Sequence, residues 1–261
     1  MPIRLVVTRP QPQADEWVAR LAALGVDALA LPLIEIAPPV DPGAVADAWR
    51  ALASFDLAIF VSPNAAARFF DTRPSDLAWP ARTLAAAPGP GTARALQDLG
   101  LGADAIAQPP AASPQFDSDA LWPVLAARRD WRGARVLVVR GDGGRDALGV
   151  RLQGEGAQVE HVAAYRRRAP AFDGSARAAL DAALDEPARH AWLFSSSQAI
   201  DHLGAARPDA AASGALATAL ATHPRIAQRA REAGFRAVFE SAPTLAAVVG
   251  CLQSIQPPIA P

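Results

Sequence analysis

A segment near the amino end of this 261-residue chain returns halfway along it, and a second segment then returns in the same way. Arg4-Leu5-Val6-Val7-Thr8-Arg9 aligns with Arg135-Val136-Leu137-Val138-Val139-Arg140. At the same offset Asp15 meets Asp146, Arg20-Leu21 meets Arg151-Leu152, and Gly25 meets Gly156. At a slightly larger offset Phe60-Val61-Ser62-Pro63-Asn64-Ala65 meets Phe194-Ser195-Ser196-Ser197-Gln198-Ala199, Pro90 meets Pro224, and Gly100 meets Gly234. So long a period is not that of a solenoid, whose repeats are short. It predicts two similar lobes, and a cleft between lobes is where small molecules are usually handled.

The local pattern within each copy alternates strand and helix. Leu5–Val7 is a short buried-strand run, and Gln13–Leu24 places Trp17, Leu21 and Leu24 on one helical face before the stop at Gly25. Val26–Ile36 reads as extended, interrupted by Pro32, and Ala103–Ala107 as a weak strand. Asp119–Ala127 reads as a helix in which Pro123 is tolerable only within the first turn. Such alternation predicts parallel sheets flanked by helices, here two similar doubly wound parallel-sheet domains. The duplication breaks between its two units, at Leu31–Ile36 and at Val162–Arg167. Symmetry makes both segments crossings, so the chain starts in one lobe, passes to the other and returns. The expected division is residues 1–32 with 168–261, residues 37–160, and linker strands at 33–36 and 161–167. The tail from Gln256 reads as loose.

Bulk properties exclude several classes. The net charge is -1 and charges are scattered, which gives no electrostatic case for nucleic acid or an anionic membrane. The first residues read as a strand rather than a signal peptide, and no apolar run is long enough for a bilayer, so the expected location is the cytoplasm. A single cysteine excludes an internal disulfide and a multi-thiolate metal site. All 25 basic residues are arginine, which removes a phosphate-loop lysine and a lysine Schiff base. His161, His190, His202 and His223 lack metal-ligand spacing. Phe194-Ser195-Ser196-Ser197 lacks the glycines of a nucleophile elbow.

The strand-end loops hold the candidates for chemistry. Thr8, Ser62, Thr92, Ser195, Ser196, Ser197 and Thr222 supply hydroxyls where helices begin, so free backbone N–H groups point the same way. Around one cleft, such a set favours a polyanionic ligand. Ser and Thr at these places also serve as helix N-caps. Arg9 and Arg140 hold matching positions and suit carboxylates or intralobe ion pairs. The turns Gly89-Pro90-Gly91-Thr92 and Gly141-Asp142-Gly143-Gly144-Arg145 fall short of a nucleotide fingerprint. Tyr165, the sole tyrosine, lies in the second crossing and is either a proton donor facing the cleft or a packed aromatic.

On these residues the chain resembles the uroporphyrinogen-III synthase family. The carriers are Val7-Thr8-Arg9-Pro10, Leu31–Ile36, Phe60–Ala65, Gly89–Ala93, Val139-Arg140-Gly141 with Arg145-Asp146, Tyr165-Arg166-Arg167, Phe194–Ser197 and Thr222–Ala227. The resemblance implies a monomer of two α/β lobes joined by a two-stranded linker. It also implies a cofactor-free, metal-free reaction on hydroxymethylbilane, a linear tetrapyrrole with acetate and propionate arms. The terminal hydroxyl leaves as water, ring D inverts and the macrocycle closes. A tyrosine matching Tyr165 is the family's candidate acid. Carboxylate contacts map to Ser62, Thr92, Ser196, Ser197 and Thr222, with Thr8, Arg9, Asn64, Gly89, Arg140, Gly141, Ser195 and Arg225 in the same loops. His223-Pro224-Arg225 departs from the small or hydroxyl residues of relatives. The competing readings are a two-lobed small-anion-binding module without catalysis and a phosphate-handling enzyme of doubly wound fold.

Overall fold

Apolar runs of four to seven residues make strands here because buried parallel strands need no polar face. The computed structural model describes residues 3–143 and 146–255. In chain order its elements are β1 (Arg4–Val7), α1 (Gln13–Ala22), β2 (Ala28–Ala30), β3 (Glu35–Ala37), α2 (Pro42–Ala51), β4 (Leu57–Phe60), α3 (Pro63–Asp71), β5 (Leu84–Ala86), α4 (Pro90–Asp98), β6 (Ile106–Ala107), α5 (Ser118–Ala126), β7 (Arg135–Gly141), α6 (Ala147–Gly154), β8 (Gln158–Arg168), α7 (Gly174–Asp185), β9 (His190–Phe194), α8 (Ser197–Ala206), α9 (Ala210–Ser213), β10 (Thr218–Ala221), α10 (Pro224–Glu232), β11 (Ala237–Glu240) and α11 (Leu245–Ile255). Gly144, Arg145 and the tail from Gln256 lie outside the described residues.

The chain divides into two compact units, Met1–Glu35 with Arg168–Pro261, and Ile36–Arg167. The first holds a five-stranded sheet in the order β11-β10-β9-β1-β2, with every pair parallel. The second holds a six-stranded sheet in the order β3-β8-β7-β4-β5-β6. The duplication read from the sequence makes β1 equivalent to β7, β2 to β8, β9 to β4 and β10 to β5. The hydrogen-bond registers agree with it residue for residue. Leu5 faces Ala28 as Val136 faces Val159. Leu5 faces Ala191 as Val136 faces Leu57, and Ala191 faces Thr218 as Leu57 faces Leu84. A one-residue slip would turn every side chain to the other face. The shared register therefore means that the two copies bury the same positions.

In the second unit, strand alternation feeds two cores. Ala58 and Phe60 of β4 join Trp49, Phe69, Phe70, Val139 and Tyr165 on one face, whereas Leu57 and Ile59 join Leu121, Leu125, Leu148 and Leu152 on the other. Trp49 stacks on Phe69 at 4.7 Å and its indole N–H donates to the Phe69 carbonyl. Burying a side chain of this size contributes about 1.5–3 kcal/mol. In the first unit, Leu5 and Val7 pack with Trp17 and Leu21 of α1 and Val248 and Leu252 of α11.

Residues 161–167 form the carboxyl half of β8, beside β3, with Val162, Ala164 and Tyr165 in the core of the second unit. Two details differ from the sequence expectation. Ala103–Ala105 is a 3-10 turn and only Ile106–Ala107 is strand. Pro123 is the sixth residue of α5, beyond its first turn. It withholds a donor from the Asp119 carbonyl. Asp119 is exposed, and the Asp117 carboxylate holds the helix start by accepting from Asp119 N–H at 3.1 Å and Ala120 N–H at 3.0 Å.

Candidate active site

In open parallel sheets ligands bind beyond the carboxyl ends of the strands, where the strand order reverses. That point lies between β4 and β7 in the second unit and between β1 and β9 in the first. The duplication makes these equivalent places, and they carry different chemistry.

At the β4/β7 point Ser62 ends the strand in extended conformation and caps α3, its hydroxyl oxygen accepting from Ala65 N–H at 3.1 Å. The same oxygen lies 3.0 Å from the Tyr165 hydroxyl. Tyr165 is 0% exposed. A second group meets its phenol oxygen: the Arg167 guanidinium, which donates at 3.0 Å. Gly141, the last residue of β7, faces the phenol ring, and a Cβ built there would stand 3.0 Å from two ring carbons. Only the absence of a side chain lets the ring lie flat on the strand. Asp142 completes the frame: its N–H donates to the Tyr165 carbonyl at 3.0 Å and its carboxylate accepts from Arg167 N–H at 3.3 Å. Asn64 sits half-buried in the first turn of α3, and Arg140 turns its Nε to the Gly141 carbonyl at 3.3 Å. Gly89 caps α4 without a side chain, and Thr92 in its first turn is 4% exposed.

At the β1/β9 point Thr8 is 1% exposed and its hydroxyl donates to the Leu193 carbonyl at 2.7 Å. It clamps β1 to β9 and offers no proton to a ligand, which corrects its place among the donors. Nor does it begin a helix, since α1 starts at Gln13. Arg9 follows, its guanidinium 4.2 Å above the Trp17 ring. Its Nε is sealed from water and has no hydrogen-bond partner among the described residues. Burial pushes the group down to about 10. The Trp17 ring face lies beside the charge and attracts it. Arg9 and Ser195 each follow the last paired residues of their strands, Val7 and Leu193, by two positions.

The helix starts differ in what they can donate. Pro63, Pro90 and Pro224 occupy the first positions of α3, α4 and α10, where proline is favoured because that N–H has no helical partner. These ends therefore lack one of the expected free donors. Ser62 engages a further N–H in α3, and the His223 Nδ1 accepts from Arg225 N–H at 3.1 Å in α10. His223 is thus a cap. Among these four helices α8 alone has neither an initial proline nor a side-chain cap, so Ser196 and Ser197 keep their hydroxyls and N–H groups at a positive helix end. Thr222 is half-buried, its N–H donating to the Phe194 carbonyl at 3.1 Å, and Arg225 is exposed.

A cavity of about 520 Å³ in the first unit lies along β2 and α7, lined by Leu29, Leu31, Phe172, Ala176 and His190. It contains none of these groups and is not the candidate site. No group of three or more acidic, histidine or cysteine residues suited to a metal occurs among the described residues.

Comparison with known proteins identifies the family. The family model described as uroporphyrinogen-III synthase HemD matches residues 15–250. The chain belongs to the uroporphyrinogen-III synthase family. It is 34% identical over 176 residues to the uroporphyrinogen-III synthase of Escherichia coli (strain K12), covering 67% of this chain and 69% of that one. The Synechococcus elongatus synthase is 31% identical over 173 residues, covering 64% and 61%. The fold matches that of a mutant uroporphyrinogen III synthase from the extremely thermophilic bacterium Thermus thermophilus, with a TM-score of 0.58 and 24% identity over 97% of this chain and 99% of that one. Among the described residues, no helix is long and apolar enough to cross a membrane. The family match begins after Thr8 and Arg9. Sequence reasoning did not single out Arg167 or Asp142 as site residues. The signal available was their adjacency to Tyr165 and Gly141.

Proposed function

We propose that this chain works as a uroporphyrinogen-III synthase: it takes hydroxymethylbilane, removes the terminal hydroxyl as water, inverts ring D and closes the macrocycle. The observation that carries the reading is the Tyr165–Ser62 hydrogen bond at the β4/β7 strand ends, where a phenol and an alcohol share one proton line. Ionisation of a pyrrole carbinol is assisted by the ring nitrogen, so the protein supplies mild acid help and, above all, positioning. The α8 hydroxyls, Thr222 and the Arg9 guanidinium are the carboxylate contacts in this reading, with Arg140, Asn64 and Arg225 as further candidates. The protein acts as a cytoplasmic monomer on a small-molecule substrate, without cofactor, nucleic acid or membrane partner. The extended segments 33–36 and 161–167 serve as the straps on which substrate bending depends. The test supplies hydroxymethylbilane, oxidises the products and resolves the porphyrin isomers. Isomer III is the expected product, and isomer I alone rejects the reading.

A further inference from the structure

We propose that Arg167, Tyr165 and Ser62 form a directed hydrogen-bond chain in which Ser62, not Tyr165, hands the proton to substrate and Arg167 is a positioning residue. The inference rests on the synthase reading and extends it to the direction of proton flow.

Tyr165 is completely buried, so its phenol does not itself face a ligand. The direction of its hydroxyl follows from counting donors. A guanidinium can only donate, so the 3.0 Å bond from Arg167 occupies a lone pair of the phenol oxygen. Among the described residues Ser62 is the remaining partner of that oxygen, which assigns the phenol proton to it. The Ser62 oxygen already accepts from Ala65 N–H. With two donors aimed at it, both acceptor positions of the serine are filled, and its own hydrogen is the one left to give outward. Ser62 is half-buried, where Tyr165 is sealed in the core, so the serine is the member of the pair beside solvent at the strand ends. Arg167 is itself fixed, by its backbone bond to Asp142 and by its guanidinium 5.7 Å from the phenol ring centre.

In the reaction the carbinol C–O bond breaks and its electron pair leaves on oxygen. Ser62 gives that oxygen a proton, forming water, and takes the phenol proton in turn. The negative charge ends on the Tyr165 oxygen, against the Arg167 cation. The carbocation left behind bonds to the substituted α-carbon of ring D, and that carbon's bond to its old methylene bridge breaks. The freed methylene bonds to the unsubstituted α-carbon, which inverts the ring. That α-carbon, now tetrahedral, releases its proton to restore the pyrrole. The proton returns through Ser62 to Tyr165, so the enzyme is regenerated and one water has left.

Because Tyr165 is the sole tyrosine, protein grown with 13Cζ-tyrosine gives one phenol resonance. Arg167→Met should move it, and Arg167→Lys, which still donates, should bring it most of the way back. In turnover, Arg167→Met should lower kcat about tenfold with KM little changed, as loss of one transition-state interaction does. Arg167→Lys should recover most of that. Ser62→Ala should cost at least as much kcat as Tyr165→Phe, and the double variant no more than the slower single one, since groups in series do not add. A phenol resonance indifferent to Arg167→Met, or a Ser62→Ala enzyme as fast as the parent, overturns the proposal. Ser62→Ala also uncaps α3, so an unfolded variant is read instead through Arg167→Met. If the parent protein makes no isomer III, the synthase reading fails while the resonance still decides the hydrogen-bond chain.

Discussion

Gly141→Ala isolates the close contact on which Tyr165 depends. The new methyl carbon would stand 3.0 Å from Cε2 and Cζ of the phenol ring and 3.4 Å from its oxygen. Carbon–carbon contacts are comfortable at roughly 3.5–4.0 Å, so the ring must retreat by about half an ångström or more. It has nowhere free to go: it is buried, and two 3.0 Å bonds hold its oxygen. Gly141 lies in an extended strand and has no left-handed φ, so alanine relieves unfolded-state entropy there by about 0.4–1 kcal/mol. Against this stands an overpacking cost of about 1–3 kcal/mol. The balance is a net loss of about 1 kcal/mol, measurable as a lower urea midpoint with unchanged slope. Turnover should fall further, about tenfold, because a displaced phenol loses its line to Ser62. The assay is kcat for isomer III in four proteins: parent, Gly141→Ala, Tyr165→Phe and both together. Phe keeps the ring carbons, so the stability loss should persist in the Phe background while the kcat loss should vanish. An equal kcat loss in both backgrounds, or a Gly141→Ala protein as stable and fast as the parent, refutes the reasoning.

Tyr165→Phe alone should leave the fold intact and lower kcat partially, checked by far-UV dichroism and the isomer assay. Unchanged turnover removes the acid role. Arg9→Met should raise stability to urea by about 1 kcal/mol, because the cost of a cation pushed down to about 10 by burial is only partly offset by its cation–π contact. It should also raise KM, and a destabilised variant with unaltered KM contradicts both. Thr83→Val should cost about 1–3 kcal/mol without touching kcat/KM, since the Thr83 hydroxyl serves the carbonyls of Leu52 at 3.0 Å and Phe55 at 2.9 Å. Burial alone would raise the Asp56 carboxyl. The Arg135 N–H, the Arg129 hydrogen bond and charge, and the Arg82 charge hold it below its ordinary value. Its contribution is therefore full above the unfolded value near 4 and is lost as pH falls below that. Asp56→Asn should flatten the acid limb of a urea-stability profile, and a parallel limb counts against the assignment.

The likeness of the two lobes was legible because duplication writes one pattern twice: a hydrophobic run is ambiguous alone, but Leu5–Val7 and Val136–Val138 must solve the same packing problem. The division of hydroxyls into clamps, caps and donors was not legible. Thr8 bonds a carbonyl far away in sequence, and only the pairing of β1 with β9 brings it there. Ser62 and Ser196 align in the duplication, yet one caps its helix and the other does not. Proline at the helix starts was visible as a residue, but what it removes depends on where each helix begins. Tyr165 could be placed on an extended segment, whereas its burial required Gly141 beneath it and Ser62 beside it. Those are long-range contacts that no local pattern encodes.

The interleaved path has a consequence for synthesis. β1 is an inner strand between β2 and β9, with Leu5, Val6 and Val7 fully buried, yet the whole of the second unit is synthesised between it and its neighbour β9. Residues 36–167 are contiguous and can complete their own sheet meanwhile. At ordinary translation speeds the nascent Leu5-Val6-Val7 waits roughly 10–40 s for its partner. Through that interval the newborn chain carries a sticky, unsatisfied ribbon, and chaperone demand should concentrate on the stretch from β1 to β2 rather than on its larger contiguous half.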